Sequence, residues 1–373
     1  MKILYVAMKY DYGRPEQGLS FEQCNFYDAL AADGHDLVQF DFMTLYQELG
    51  RDEMNRRLLE AARRERADLM FTVLFDEELD PDVVRTISEE TDTVTLNWFC
   101  DDHWRFESFT SRWAPRFNWV VTTAASALPK YRRLGYRNVI KSQWGCNDHL
   151  YRKLALPLVH DVSFVGQPHG SRRDVIDALR ASGVEVYTRG RGWEEGRVSQ
   201  EELIRIFNQS RINLNLPNAS TAPLDRSVRG RLRSSTGRGI RALPYGGRAI
   251  DTARALRARG TAAADRSATW YAEQIKGRNF EVPGCGGFLL TGRADDLESY
   301  YELGREVAVF SGVADLVQQV HYYLAHEDER LAIAEAGFRR TLREHTYRDR
   351  FAEIFATIGF DDASKRAALR HAG

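Results

Sequence analysis

Strand-length apolar runs alternate with helix-length amphipathic runs from the first residues onward, the pattern of parallel α/β domains. In the first half it predicts strands at Ile3 to Met8, Leu37 to Phe42, Leu69 to Phe75, Val94 to Phe99, Trp119 to Thr123 and Val139 to Trp144. Helices are predicted at Phe21 to Ala32, Asp52 to Arg66, Pro81 to Glu90 and Ser126 to Leu134. Pro81 suits a first helical turn, where a missing N–H costs nothing, and Gly34 and Gly135 stand where helices stop.

The pattern pauses around Tyr151 to His160 and resumes with a strand at Val162 to Val165. The pause predicts a first domain over 1–155, a second over 156–345 and a terminal helix with a frayed tail over 346–373. The second domain is expected to hold helices Arg173 to Ala181, Glu201 to Gln209 and Ala314 to Ala325. Its further strands are expected at Val184 to Tyr187, Ile212 to Leu216, Phe288 to Thr291 and Val307 to Phe310. Ser199 and Glu202 have the spacing of a capping box. A long charged helical end is expected from Glu327 to about Ile358.

One stretch breaks the alternation. Ala219 to Ala268 holds eleven arginines and three aspartates, a formal charge of +8. The chain of 373 residues has a net charge of −1, so everything outside this stretch carries −9. Two readings stay open: a solvated low-complexity insertion, or a basic arm that contacts a polyanion. An acidic acceptor or a phospholipid surface would suit such an arm. No base-reading motif accompanies the arginines, so no sequence-specific nucleic acid is expected.

The longest apolar runs are far shorter than a membrane span, and the N-terminus lacks the long apolar core of a secretory signal. Four scattered cysteines without a CxxC pair argue against a zinc site or a disulfide framework, and for a reducing cytoplasm.

In α/β folds ligands gather at the carboxyl ends of the strands, so residues just beyond strands carry weight. The loop Lys9 to Ser20, with Gly13, does not match GxGxxG, which weakens a dehydrogenase reading. Asp101, Asp102 and His103 follow the fourth strand. One aspartate can serve as an acid/base or hydroxyl-binding group while the other caps the next helix. Gly166 and Arg172 sit at a strand-to-helix turn suited to phosphate, though the spacing is not a Walker A motif. Arg191 follows the next strand. Glu273 and Glu281 stand eight positions apart with Lys276 and Arg278 between them, ahead of a run of small residues.

That last segment, EQIKGRNFEVPGCGGFLLT, resembles the nucleotide-binding core of retaining two-domain (GT-B) glycosyltransferases. With KYDYG, WFCDDHWRF, QWGCN, SFVGQPHGSR, GRGW and HTYRDR in order, the chain more narrowly resembles the CgeB-type spore-maturation glycosyltransferase-like family. The resemblance implies two Rossmann-like domains facing a central cleft; the Arg-rich insertion, in the second, departs from the family pattern. It implies a hexosyltransferase-like enzyme that uses a nucleotide-diphosphate sugar as co-substrate and needs no other cofactor or metal. Glu281 would bind the ribose, and Glu273 takes the first motif position. Lys276, Arg278, Arg172 and Gly166 would face the diphosphate, with Gly13 and Arg191 lining the donor site. His103 would contact the sugar, and Asp102, then Asp101, the acceptor or sugar hydroxyl. The acceptor stays open, with anionic and membrane-associated acceptors among those the insertion suits. The alternatives are a catalytically degenerate GT-B-fold protein that binds a glycan or nucleotide, and an epimerase with paired α/β domains.

Overall fold

The computed structural model describes residues 1–217 and 273–360. The basic stretch Ala219 to Ala268 and the tail beyond 360 lie outside the described residues.

Six parallel strands form the first sheet: β1 (Lys2–Val6), β2 (Asp36–Phe40), β3 (Leu69–Thr72), β4 (Val94–Phe99), β5 (Trp119–Thr122) and β6 (Val139–Lys141), in the order β2-β1-β3-β4-β5-β6. Five form the second: β7 (His160–Val165), β8 (Val186–Arg189), β9 (Ser210–Asn215), β10 (Leu289–Gly292) and β11 (Ala308–Phe310), in the order β11-β10-β9-β7-β8. All registers are parallel, as in β1, where Ile3 pairs with Leu37 on one side and Leu69 on the other. Strand order reverses between β1 and β3 in the first sheet and between β7 and β9 in the second. Such reversals open a crevice at the strands' carboxyl ends.

Central strands read as unbroken apolar runs because both faces are covered. Leu4 and Val6 of β1 face a cluster with Met54 and Leu58 of the helix Arg51–Glu65. Ile3 and Tyr5 face the opposite cluster, built on Phe26, Phe71 and Trp98. Into this second cluster packs the chain's last described helix, Tyr347–Thr357, through Phe351, Ile354 and Phe355. Each such side chain, buried, is worth about 1.5–3 kcal/mol, so the C-terminal helix is bound to the N-terminal domain.

The helical end expected as one run is two helices, Glu327–Glu344 and Tyr347–Thr357. The break is built by Thr346, whose side chain accepts from the Asp349 N–H while Asp349 accepts from the Thr346 N–H. Here the chain crosses between domains beside its earlier crossing. Cys146 N–H donates to His345 O at 2.8 Å and Tyr347 N–H to Cys146 O at 3.0 Å. Gly145 permits the pairing, since a Cβ there would sit 3.1 Å from the backbone of the returning segment. At Ser199 the cap is single: its side chain accepts from the Glu202 N–H at 3.1 Å. Two helical stretches were not expected. Phe42–Leu49 starts where Asp41 accepts from the Thr44 N–H, and short helical turns run from Asp102 to Arg116.

Candidate functional site

The loop after β1 is shaped by a glycine. Gly13 lies in the left-handed region (φ +67°), and a Cβ on it would come within 2.5 Å of Met43 Cγ. It packs against the helix Phe42–Leu49. Tyr12 beside it is also left-handed (φ +54°, ψ +28°), a conformation that costs a non-glycine residue about 1 kcal/mol. It is held by Gln47, whose amide donates to Tyr12 O at 3.0 Å.

Beyond β4 the two aspartates separate. Asp102 is only 1% exposed, and its carboxylate accepts from the hydroxyls of Thr110 (2.6 Å), Thr122 (2.6 Å) and Tyr131 (2.7 Å). Burial still pushes its pKa up to about 6. Asp102 therefore ties the domain's interior together, its carboxylate taken up by three hydroxyls of its own domain. Asp101 occupies the helix N-cap position without capping it. Its Oδ1 instead accepts from Gln274 Nε2 of the second domain at 3.1 Å. His103 is buried with Nδ1 unpartnered. Burial first, and the Lys276 charge second, lower its pKa to about 4, so the ring is neutral at pH 7.

In the second domain Gly166 follows β7. Its backbone is met at 2.5 Å by the position a Cβ on Gly190 would take, and its carbonyl accepts from Trp193 Nε1 at 2.7 Å. Arg172 is buried and donates to the carbonyls of Gln167 (3.0 Å) and Leu216 (2.7 Å), clamping the ends of two strands. Its neighbour His169 has an unpartnered Nδ1, and burial followed by the Arg172 charge lowers its pKa to about 3. Arg191 is exposed, its guanidinium 5.8 Å from the Tyr12 ring centre across the cleft.

The segment Gln274 to Glu281 joins these parts. Lys276 N–H donates to Asn279 Oδ1 at 3.0 Å, tightening the turn into the helix Arg278–Gly284. Burial lowers the Lys276 pKa to about 8, opposed by Asp101 and reinforced by Arg172. Glu281 is 0% exposed. Its Oε2 pairs with Arg278, while Oε1 accepts no hydrogen bond of good geometry and lies beside the Tyr151 phenol. Phe21 of the first domain covers this point: a Cβ on Gly277 would sit 2.9 Å from its ring and 3.0 Å from Glu281 Oε1. Glu273 is partly buried at the start of the described segment, with its carbonyl 3.5 Å from the Asp295 N–H.

The site therefore gathers Asp101 and His103 from one domain with Gln274, Lys276, Arg172, Arg278 and Glu281 from the other. Sequence reasoning missed Gln274 and His169, which stand next to residues it singled out. It also missed Glu22, whose carboxyl is pushed up to about 7 by burial and then by the Asp11 charge. Among the described residues no group of three or more His, Cys, Asp or Glu side chains is placed to hold a metal ion. No helix among them is long and apolar enough to cross a membrane.

Two switch-point sheets with their carboxyl ends turned to one cleft match solved structures over nearly the whole chain. Anabaena HepE in complex with UDP-glucose superimposes with a TM-score of 0.61 at 12% identity, covering 96% of this chain and 99% of that one. The chain has the GT-B fold. Sucrose-phosphate synthase from Thermosynechococcus elongatus is similar with a TM-score of 0.59 at 12% identity over 100% of both chains. A glycosyltransferase from Rickettsia africae gives 0.57 at 10% identity, over 96% of this chain and 98% of that one. Residues 251–356 match the glycosyl transferase-like family model, so its described part spans the Glu273 to Glu281 segment and the helices after β11. No curated protein sequence matches the chain.

Proposed function

We propose that this protein is a glycosyltransferase of the CgeB-type kind, hexosyltransferase-like, moving a sugar from a nucleoside diphosphate sugar to an acceptor hydroxyl with retention of configuration. One observation carries the reading. Buried polar atoms without a hydrogen bond of good geometry, His103 Nδ1, His169 Nδ1, Gln274 Oε1 and Glu281 Oε1, accompany three cations, Lys276, Arg172 and Arg278, at the junction of the two domains. Leaving buried polar groups unpaired costs about 1–3 kcal/mol each. A polar, polyanionic ligand offsets that cost. That HepE crystallises with UDP and with UDP-glucose supports the nucleotide-sugar choice.

The chemistry follows from charge. As the glycosidic bond to the diphosphate breaks, negative charge grows on the leaving group, and fixed cations lower the barrier more than they stabilise bound donor. Lys276 and Arg278 supply that charge without a metal, and Arg172 holds the loops that carry it. Glu281 Oε1, beside the Tyr151 phenol, is the acceptor for a ribose hydroxyl hydrogen. Because Phe21 covers it, nucleotide entry accompanies separation of the domains at the paired crossings Gly145–Asn147 and His345–Tyr347. Closure then excludes water that would hydrolyse the donor. His103, neutral, accepts from or donates to a sugar hydroxyl, and Asp101 faces the acceptor side.

UDP should raise the melting temperature by mass action. Glu281→Gln, which keeps the side chain's shape, should weaken UDP binding about ten-fold (~1.4 kcal/mol). Equal shifts in both proteins would remove Glu281 from the site. Product mass spectrometry with a nucleotide-sugar panel then separates an enzyme from a binding protein: nucleotide binding without hydrolysis or transfer of any donor would establish the latter.

A further inference from the structure

Strand β9 lies inside the second sheet, between β10 and β7, and is covered on both faces, yet its sequence alternates between apolar and polar residues. Ile212 and Leu214 join the apolar cluster with Val162 and Leu290. Asn213 and Asn215 take the opposite face and are only 2% and 4% exposed. A buried amide is costly unless it is hydrogen-bonded, so the partners of each one show what it is kept for. Asn213 is engaged in packing: it accepts from the Ser163 hydroxyl at 3.1 Å and donates to Phe207 O at 3.1 Å. Asn215 reaches beyond the sheet. Its Nδ2 donates to Asn279 Oδ1 and to Thr291 Oγ1, each at 3.0 Å.

Asn279, fully buried, carries the connection onward, because its Oδ1 is also the acceptor for the Lys276 N–H. A backbone N–H can only donate, so the oxygen of Asn279 must face Lys276 and the atom of Asn215 that meets this oxygen must be its nitrogen. Asn279 Nδ2 is thereby turned to Thr291 Oγ1 at 3.4 Å, and Thr291 donates to Gly292 O at 3.1 Å. A chain of amides with donor and acceptor assigned at each step thus runs from the carboxyl ends of β9 and β10 to the turn that bears Lys276. A lysine is a point charge on a flexible stem, so the place of its ammonium depends on how firmly that turn is held.

We propose that Asn215 and Asn279 are positioning residues for the transfer, through which the second sheet holds the Lys276 turn against the donor diphosphate. A cation fixed before the donor arrives stabilises the charge of the leaving group without reorganising. The proposal rests on the transferase reading above and adds to it the residues that act through Lys276. Asn213, two positions away on the same strand face, has no bond to the turn and separates a packing role from a positioning one.

The test is ligand-observed NMR titration of the whole protein with UDP and with uridine, which differ only in the diphosphate, and with the adenine and guanine pairs in parallel. Wild type should bind a nucleoside diphosphate more tightly than its nucleoside. Asn215→Ala and Asn279→Ala should weaken the diphosphate about ten-fold and leave the nucleoside within about two-fold. Thr291→Val, equal in shape and the mildest of the three to folding, should show the same selective loss at about three-fold. Asn213→Ala should lose melting temperature yet keep the wild-type ratio of the two affinities. The proposal is overturned if those of the first three variants that fold keep that ratio, or if Asn213→Ala loses it as they do. A wild type that prefers no diphosphate to its nucleoside would sink the transferase reading and this proposal together, a result read on the unaltered protein and so distinct from failure in the variants.

Discussion

Gln274 Nε2 donates to Asp101 Oδ1 at 3.1 Å, joining residues 173 positions apart and on opposite domains. The bond ties the loop beyond β4 to the turn that carries Lys276. The Gln274 Oε1 atom, buried without a well-formed hydrogen bond, faces the His103 ring, so the amide that bridges the domains also meets that histidine. Domain closure and the His103 ring are thus coupled through one side chain.

The two neighbouring aspartates should respond oppositely to amidation. Asp102→Asn disturbs three hydroxyl donors at once and should cost about 1–3 kcal/mol of stability while leaving the UDP thermal shift intact. The folded-state pKa of Asp102 is raised, so the folded protein binds its proton more readily than the unfolded chain. Its contribution to stability is fully present below about pH 4 and is lost as pH rises through about 6. The variant's stability profile should be flatter across that window. Asp101→Asn should change melting temperature little but reduce turnover about ten-fold. Thermal melts from pH 4 to 7 and donor turnover check both; a stable, inactive Asp102→Asn would reverse the assignment.

Gly284 is a close-contact glycine. An added Cβ would overlap Cys146 Sγ, which is fully buried at the domain crossing. Gly284→Ala should therefore destabilise by about 1–3 kcal/mol through overpacking. Cys146→Ala removes the obstructing sulfur, so the double variant should be more stable than the sum of the single losses predicts. Additive losses in denaturant titrations would show that the clash is relieved elsewhere.

Across the cleft mouth, Arg197 and Asp11 pair while partly exposed. Such pairs are worth about 0–1 kcal/mol and are screened by salt. Asp11→Asn should leave folding stability almost unchanged but shift the domains toward the open form, seen as a larger radius of gyration in X-ray scattering at low salt. Wild type should approach the variant's value as salt rises, and a salt-independent wild-type radius would deny the pair any part in closure.

Much of the fold was legible because its signals are local. Val94–Phe99 and Pro81–Glu90 have the bounds read from sequence, since a strand buried on both faces and a proline-led amphipathic helix advertise their limits. The break at His345–Thr346 carried a local signal too, Thr346 followed three residues later by Asp349, but the surrounding helical periodicity concealed it. The site was legible as a set of residue types and not as roles. Asp102 and Asp101 are adjacent in sequence, and only the hydroxyls of residues 8, 20 and 29 positions away draw Asp102 inside. The neighbour that requires Gly13, Met43, comes from a helix that the pattern did not predict.

Lys276 gives the sharpest pH test because stability and binding should move in opposite directions. Burial lowers its pKa to about 8, against about 10.4 for an unfolded lysine. Between those values the unfolded chain holds more protons than the folded one, so the stability of the ligand-free protein gains a contribution as pH rises through this window. A diphosphate needs the ammonium, so UDP affinity should fall over the same range, and binding above pH 8 should take up a proton. Lys276→Met should bind UDP about ten-fold more weakly at pH 7 and lose both slopes. Calorimetric titrations in two buffers of different ionisation enthalpy count the proton directly. Proton uptake undiminished in Lys276→Met would place the titrating group elsewhere.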